Sequence, residues 1–445
     1  MQDKSKIKII GGGLAGSEAA LQLAKRGIDV ELYEMRPKKT TGAHVTSDFA
    51  EFVCSNSLGS SDTTNASGLL KKEMEIMGGE LIKIAYECSV PAGNALAIDR
   101  ELFSKTVTEK IKSNDKITVI NEEVTEIPDG NVIIASGPLT SDSFANSIKE
   151  FTKAEHLHFF DAIAPIVEKD SINFDIAFYA SRYNKGEASY INCPMNKEQY
   201  EKFYDYLINA PRIELKEFEK DAKVFEGCMP IEVMASRGVD TLRFGPMKPV
   251  GLVDKRTDEI NYAVVQLRQD NSAKTLYNLV GFQTNLKWSA QKELLSLIPG
   301  LEGVNIMRYG VMHRNTFINS PELLNPTLES RTRKGLFFAG QITGTEGYTE
   351  SIATGLLAGI NMARYVRDEA LLYLPPETML GALTHYITEP KQKHFQPINS
   401  NWAIVKEIDI PKKIRKNKKE KNKILSDRAI ETLNKFLESR VIVKH

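Results

Sequence analysis

Two cysteines lie in short stretches where a thiol could do chemistry. Cys54 is in "FVCSNSLGS", a run of small hydroxyl and amide side chains without a helix or strand period, and Cys228 is in "FEGCMP". A thiolate is a nucleophile and a thiol carries a proton, so a cysteine placed in a loop is a candidate catalytic group. Isolated cysteines are also commonly small buried apolar residues, and Cys88 and Cys193 are interpreted in that way. Spacing alone leaves both alternatives open for Cys54 and Cys228.

The N-terminal stretch has the pattern of a unit that binds a dinucleotide. The expected elements are a strand over 7–10, a helix over 17–26 and a second strand over 30–33. Gly11, Gly13 and Gly16 fit the GxGxxG spacing between the first strand and the helix. Such glycines allow a tight turn, a close approach to a pyrophosphate and close helix–strand packing. Glu34 follows the second strand, where a carboxylate would bind ribose hydroxyls and disfavour a 2′-phosphate.

Two later segments favour FAD over NAD as the dinucleotide. "NVIIASGP" predicts a buried strand that runs into a turn, and "KGLFFAGQITGTEGYTES" predicts a strand over 336–339, a glycine-rich loop and a helix from about Ser351. Flavoproteins of the glutathione-reductase type bring two such late strands back to the first βαβ unit. Gly340, Gly344, Gly347 and Gly355 would then let the backbone approach the flavin. The alternative is a second, ordinary βα unit.

The stretch between these landmarks predicts an inserted α+β domain. It has four strand-like runs, "HFFDAIAPIV", "INFDIAFYAS", "INYAVVQLR" and "TLYNLVGFQ", and one charged helical piece, "NKEQYEKFYDYLINA". The expected fold class is α/β, a glutathione-reductase-type Rossmann FAD-binding domain with this insertion and a basic C-terminal segment. The predicted parts are 1–160 and 306–405 for the FAD-binding domain, 161–305 for the inserted domain, and 406–445 for the basic segment.

Composition limits the class of protein. The chain of 445 residues has 58 basic and 58 acidic residues, so a phosphate-binding surface has to be local. "PKKIRKNKKEKNK" is the clearest local candidate, with Lys412, Lys413 and Arg415 at its start, although a solvated helix face explains many such runs. No apolar run is long enough for a membrane span, no signal peptide is evident and no CxxC pair suggests zinc. We expect a cytoplasmic protein that binds no metal and no membrane, as a monomer or weak dimer.

Four longer stretches carry a resemblance to a known family. They are "TGAHVTSDFAEFVCSNSLGS", "SRYNKGEASYINCPMNKEQY", "FEGCMPIEVMASRGVDTLRFGPMKPVGL" and "GLFFAGQITGTEGYTESIATG". Together they closely resemble the bacterial folate- and FAD-dependent RNA (uracil-5-)-methyltransferases. The resemblance implies methylenetetrahydrofolate as carbon donor, reduced FAD as carrier, NADH or NADPH as electron source, and methylation of a uridine at C5.

The resemblance also implies roles for the two cysteines. Cys228 maps to the thiol that adds to uracil C6, which turns C5 into a nucleophile. Cys54 maps to the second assisting thiol, which could remove the C5 proton before the adduct breaks down. Which of the two adds to C6 is assigned by this carry-over and not by spacing.

Residues that bind folate and RNA are less clearly marked. Tyr348 could stack beside the flavin, and Arg237, Arg243 and Lys248 are candidates for folate or RNA binding. Asn285 and Lys287 are placed in the same neighbourhood. The stretch after "HFQPINSNW" departs from the family pattern, so the target is the T-loop uridine of tRNA or, alternatively, a uridine of large-subunit rRNA. A flavin oxidoreductase without methyl transfer, or a flavoprotein that only binds RNA, is the alternative class.

Overall fold

The computed structural model describes residues 6–41, 43–153, 157–162, 164–184, 187–213, 223–224, 229–254, 256–257, 261–310, 312–390, 395–411, 414 and 417–440. The strands are β1 Ile7–Ile10, β2 Val30–Tyr33, β3 Ser57–Ser60, β4 Ser89–Val90, β5 Ala95–Ile98, β6 Ile117–Ile120, β7 Val132–Ile134, β8 Leu157–Ala162, β9 Ile166–Glu168, β10 Phe178–Ala180, β11 Tyr190–Met195, β12 Lys223–Val224, β13 Ala263–Gln269, β14 Leu276–Leu279, β15 Ile306–Arg308, β16 Met312–Phe317 and β17 Leu336–Phe338.

The α-helices are α1 Leu14–Ala24, α2 Ala66–Ile76, α3 Glu80–Glu87, α4 Arg100–Lys112, α5 Asp142–Thr152, α6 Lys197–Asn209, α7 Ile231–Ala235, α8 Thr241–Phe244, α9 Trp288–Ser296, α10 Ser320–Leu323, α11 Tyr348–Tyr365, α12 Met379–Ile387 and α13 Lys418–Arg440. No helix of the described residues is both long and apolar enough to cross a membrane.

A parallel sheet joins the two ends of the chain. Among the described residues its order is β17-β7-β1-β2-β6, and each neighbouring pair is parallel. β1, β7 and β17 are almost entirely buried, as expected for a parallel sheet with both faces covered. The predicted return of two late strands to the first βαβ unit is confirmed, because β7 lies beside β1 and β17 lies beside β7.

Helices α1 and α11 pack closely over this sheet because glycines remove side chains at their contact. A Cβ on Gly355 would lie 2.3 Å from the Ala15 carbonyl oxygen, and one on Gly359 would lie 2.9 Å from the Ala19 Cα. Neither position tolerates a side chain without moving a helix. The late helix α11 is thereby held against the helix of the GxGxxG unit.

A second, antiparallel sheet forms the centre of the inserted region. In the part of the chain that the structure describes, its order is β10-β11-β13-β14-β9-β15. Helix α6 packs its apolar side into the same core. Its N-cap residue, Asn196, forms a capping box with Gln199. The expected α/β fold with an additional α+β part is confirmed. The domain limits themselves remain a prediction.

The basic C-terminal run continues into a helix that packs on the rest of the protein. Ala429 and Leu433 of α13 are buried in the main core and Leu425 is buried beside the rest of the protein, while Lys418, Lys419 and the lysines near them are exposed. The segment is therefore an amphipathic docked helix with one cationic face. Its predicted phosphate-binding residues Lys412, Lys413 and Arg415 lie outside the described residues.

Candidate functional site

One long cleft opens at the carboxyl edge of the parallel sheet. The space between its walls is about 1010 Å³, a volume that includes open solvent at its mouth. Its walls are the turns that follow β1, β2, β6, β7 and β17, together with the first turn of α11. Ligands of open α/β sheets bind at this edge, so the cleft is the position that the fold itself favours for a nucleotide.

The three fingerprint glycines have different surroundings in this cleft. A Cβ on Gly11, whose φ is +107°, would lie 2.5 Å from the Ala135 carbonyl oxygen, and a Cβ on Gly16 would lie 1.9 Å from the Gly11 carbonyl oxygen. Gly13 differs, because nothing lies within 4 Å of a Cβ there and the residue lines the cleft at the N-cap of α1. Gly11 and Gly16 thus serve chain packing, and Gly13 leaves room for a ligand at a helix N-terminus.

Glu34 is part of a buried ion-pair network with Arg36 that the sequence pattern did not predict. Its carboxylate accepts hydrogen bonds from the Gly12 N–H (3.0 Å) and from Arg36, whose Nε is 3.0 Å away. Burial opposes ionisation of Glu34, but the bonds and charge of Arg36 outweigh it and hold the pKa of Glu34 below its usual value. Arg36 also contacts Glu51 at 3.2 Å.

The Glu34 carboxylate is ionised and lines the cleft, as its expected role requires. Its two oxygens already accept four hydrogen bonds, from Gly12 and from three N–H groups of Arg36. A ribose hydroxyl would have to share or displace one of them. Ribose binding by Glu34 therefore stays a prediction, and Arg36 is the residue of this wall that the spacing pattern missed.

Cys54 and Tyr348, which are far apart in the sequence, meet at the N-terminus of α11. The Cys54 Sγ is 2.7 Å from the Tyr348 hydroxyl, and the Cys54 backbone N–H donates to the same oxygen at 2.6 Å. The Phe52 ring packs on the Tyr348 ring at 4.3 Å, which fixes the loop against the helix. Tyr348 and Val53 line the cleft.

The Tyr348 hydroxyl keeps its proton and is able to donate it in a hydrogen bond to sulfur. Burial, followed by the neighbouring Cys54 sulfur, raises the pKa of Tyr348 well above its usual value. The phenol oxygen already accepts the Cys54 N–H, so its own O–H is free to point at Sγ. A hydroxyl that donates to sulfur stabilises the thiolate relative to the thiol.

We expect Tyr348→Phe to move alkylation of the Cys54 thiol to higher pH, because the hydroxyl that donates to the sulfur stabilises the thiolate and phenylalanine cannot replace it. The measurement is the rate of iodoacetamide alkylation against pH in a Cys228→Ala background. Tyr365→Phe, the same change at the other end of α11, is the control. An unchanged alkylation profile in Tyr348→Phe would show that the hydroxyl does not act on the sulfur.

Arginines from distant parts of the chain flank the Cys54 stretch. The Arg100 guanidinium is 3.4 Å from the Phe52 carbonyl oxygen and 2.7 Å from the Asp270 carboxylate, and the Arg268 Nε donates to Asn56 at 2.9 Å. Burial and the charge of Arg100 lower the pKa of Arg308, which donates to the Ala43 carbonyl oxygen at 2.9 Å. Positive charge around a thiol favours its thiolate.

The start of α11 is fixed by side chains on both sides. The Thr349 hydroxyl donates to the Leu58 carbonyl oxygen at 3.0 Å, and the buried Lys71 ammonium donates to the same oxygen at 2.6 Å. The Glu350 carboxylate accepts from the Ser400 N–H and hydroxyl at 2.9 and 2.6 Å. These contacts hold Tyr348, and with it Cys54, in one position.

Most of the other predicted site residues lie away from the cleft wall or outside the described residues. Arg243 lies 3.5 Å over the Tyr262 ring and pairs with Asp240 at 2.6 Å, in the inserted region with Arg237 and Lys248. Gly340 lines the cleft, whereas Gly344 and Gly347 lie beside Phe395 and Glu350. The functional roles of these residues remain predictions. Cys228 lies outside the described residues.

The sheet and its cleft define an α/β protein of the Rossmann, dinucleotide-binding class. Within the described ranges, no group of three or more His, Cys, Asp or Glu side chains could hold a metal ion.

Comparison with known proteins identifies the family. Residues 6–370 match the family described as glucose inhibited division protein A. Two relatives named methylenetetrahydrofolate–tRNA-(uracil-5-)-methyltransferase TrmFO are similar over nearly their whole length. The one from Bacillus subtilis is 59% identical, covering 97% of this chain and 98% of the relative, and the one from Brevibacillus brevis is 58% identical, covering 98% of each.

The chain belongs to the glucose inhibited division protein A family and, within it, to the methylenetetrahydrofolate–tRNA-(uracil-5-)-methyltransferases. The resemblance seen in the sequence is confirmed. The structure of Aquifex aeolicus GidA has the same fold, with a TM-score of 0.69 at 17% identity over 97% of this chain and 73% of that one.

Proposed function

We propose that this protein methylates C5 of a uridine in tRNA, with methylenetetrahydrofolate as carbon donor, bound FAD and NADH or NADPH as electron source. The observation that carries the proposal is the identity of 58–59% to enzymes with this activity in their name, over nearly the full length of both chains. We further propose that the protein works in the cytoplasm as a monomer or weak dimer.

The residues of the cleft fit FAD. Gly13 provides open space at the N-terminus of α1, where a pyrophosphate would be stabilised by backbone N–H groups. Gly137, also without a neighbour within 4 Å of a Cβ, and Gly340 line the same cleft from the late strands. Tyr348 and Val53 close the wall next to Cys54. When bound, FAD supplies the redox chemistry and carries the one-carbon unit.

The thiols supply the chemistry on the uracil. The Cys228 thiolate adds to C6, so that an S–C6 bond forms and the C5–C6 π electrons move toward the C4 carbonyl as an enolate. C5 then takes up the one-carbon unit as the bond between that carbon and its carrier breaks, and a hydride that NADH or NADPH would supply through bound FAD takes the unit from the methylene to the methyl level. The Cys54 thiolate, favoured by the Tyr348 hydroxyl and nearby guanidinium groups, removes the C5 proton, and the S–C6 bond breaks as the double bond returns.

The test is a methylation assay with labelled methylenetetrahydrofolate, NADH or NADPH, and separate pools of unmodified tRNA and rRNA. We expect label at C5 of one uridine in tRNA. Label only in rRNA would assign the other target, and reduction of the flavin without label in either RNA would leave the oxidoreductase alternative.

The cationic face of α13 is proposed to contact tRNA phosphates. We expect a triple variant with Lys418, Lys419 and Lys421 changed to Gln to bind tRNA more weakly, with unchanged flavin reduction. Each lost phosphate contact should lower the salt slope of binding by about 0.9 at most. Substitution is preferable to truncation, because Ala429 and Leu433 of the same helix are buried in the core.

The matched control changes three lysines of the FAD-binding part to Gln. Lys25 and Lys110 pair with Glu80 at 2.7 and 2.6 Å, and Lys105 pairs with Glu101 at 2.6 Å. This variant loses the same charge elsewhere on the surface. Equal salt slopes for the two triple variants would show that the α13 face is a solvated surface that does not contact tRNA phosphates.

A further inference from the structure

A stacked aromatic pair, of which one ring is exposed and the other half-buried, lies on the inserted region. Trp288, the first residue of α9, is 59% exposed, although indole rings are usually largely buried. Its ring stacks on that of Tyr309, with centroids 5.3 Å apart and planes 17° from parallel. The stacked pair leaves most of the indole in solvent, and a solvent-exposed aromatic face is the feature on which nucleic-acid bases stack.

A buried glutamine makes the pair rigid. The Gln291 amide donates to the Gly310 and Leu286 carbonyl oxygens at 2.8 Å each, and its oxygen accepts the Gly310 N–H at 2.8 Å. Gly310 follows Tyr309 and Gln291 lies on α9, so these bonds tie the two ring-bearing segments together. The rings are therefore preorganised, which reduces the entropy lost when a ligand stacks on them.

Trp288 directly follows residues 283–287, and this stretch forms hydrogen bonds to the chain on either side of the Cys228 segment. On the entry side, the Ile213 N–H donates to the Asn285 carbonyl oxygen at 2.9 Å. On the exit side, the Ile231 N–H donates to the Gln283 carbonyl oxygen at 2.7 Å. The chain from 283 to 287 thus joins the two anchors of that segment and leads into Trp288.

The chain that carries the other ring contacts the loop that precedes Cys54. Arg308 is the neighbour of Tyr309 and donates to the Ala43 carbonyl oxygen at 2.9 Å. The aromatic pair is thereby connected through short chain segments to both cysteine-bearing stretches. Exposed Lys287 and Lys292 lie beside Trp288 and match the charge of a phosphate backbone.

We propose that Trp288 and Tyr309 form a platform on which a base next to the target uridine stacks. The proposal rests on the proposed function. A base that is modified must leave its stack, and its neighbours then lose a stacking partner. An aromatic platform next to the stretch that anchors Ile213 and Ile231 replaces that partner, while the two lysines contact the flanking phosphates. Stacking is tolerant of sequence, so the platform positions the RNA and does not read the target base.

The first experiment measures tRNA affinity by filter binding for Trp288→Ala, Trp288→Leu and Trp288→Phe. We expect about a tenfold or greater loss for Ala and Leu and near wild-type affinity for Phe, because Leu restores apolar bulk and only Phe restores stacking. Phe244→Ala, which removes another exposed aromatic of the inserted region, is the control and should bind like wild type. Equal affinity of Trp288→Ala and wild type would overturn the platform.

The second experiment uses tRNA with single abasic nucleotides on either side of the target. One position should weaken binding by wild type but not by Trp288→Ala, because the base and the ring act as one pair. Additive losses at every position, or a raised KM for methylenetetrahydrofolate with unchanged RNA affinity, would contradict RNA stacking and assign the rings to another ligand. Wild-type methylation, measured in parallel, shows separately whether the proposed function holds.

Discussion

Gly13→Val is expected to give a folded protein that no longer retains flavin. The open space around a Cβ at this position means that the protein itself accommodates the side chain. Gly13 has a φ of −74°, which valine adopts without strain. The new methyl groups would occupy the place of the pyrophosphate at the N-terminus of α1. The measurement is the flavin absorption of the purified protein, before and after incubation with micromolar FAD.

Two further glycine variants make this result specific. Gly303→Val, at another position with open space, should retain flavin like wild type. Gly16→Val should lower the melting temperature of the flavin-free protein, because its Cβ would collide with the Gly11 carbonyl oxygen, whereas Gly13→Val should not. A yellow Gly13→Val protein with wild-type flavin content would remove the cleft from consideration as the FAD site.

Loss of the Cys228 thiol and loss of the Cys54 thiol are each expected to stop the reaction, but at different stages. With 5-fluorouridine at the target position, the C5 proton is absent and the S–C6 adduct cannot resolve. Wild type should then accumulate a covalent protein–RNA complex in the presence of folate and reductant, seen as a shifted band under denaturing conditions. Cys228→Ala should form none. Cys54→Ala should lose methylation of ordinary tRNA but keep the adduct, since proton removal follows addition.

The control for thiol loss is Cys88→Ala. Cys88 is 4% exposed, and burial raises the pKa of its thiol, so it is suited to packing and not to nucleophilic attack. This variant should keep both the adduct and methylation. A Cys228→Ala protein that still crosslinks, beside a Cys54→Ala protein that does not, would exchange the two roles. Normal methylation by both variants would exclude the thiol mechanism.

Local patterns in the sequence predicted the elements that depend on local chemistry. β1 and β2 have the predicted bounds, and α6 matches "NKEQYEKFYDYLINA" because Asn196 and Gln199 cap it. The helix starts were placed three residues late: α1 begins at Leu14 and α11 at Tyr348. In both cases a glycine is the N-cap, and the first turn consists of residues that also suit a loop.

Two predicted strands differ from the structure for reasons of turn chemistry. In "INFDIAFYAS" only Phe178–Ala180 is a strand, because Asn173 forms a turn in which its side chain accepts the Asp175 N–H. "HFFDAIAPIV" contains two strands, β8 and β9, which belong to different sheets. Pro165, which cannot donate to a ladder, stands just before β9.

The arginines around Cys54 could not be found by spacing. Arg100, Arg268 and Arg308 come from a helix of the first part and from two strands of the inserted sheet. No motif connects positions so far apart, and only the docking of the inserted sheet on the Rossmann part brings them together. The Cys54–Tyr348 contact has the same origin, although each residue was selected separately from its own motif.

The order in which the cleft is assembled has a consequence for biosynthesis. Its walls come from residues near 10–15, 33–53 and 122–144, but also from Gly340, Gln341 and Tyr348. Synthesis proceeds from the N-terminus, so the growing polypeptide carries the GxGxxG unit long before β17 and the start of α11 leave the ribosome. Flavin loading is therefore a late step of maturation, and a chain that terminates before Tyr348 has no complete cleft to load.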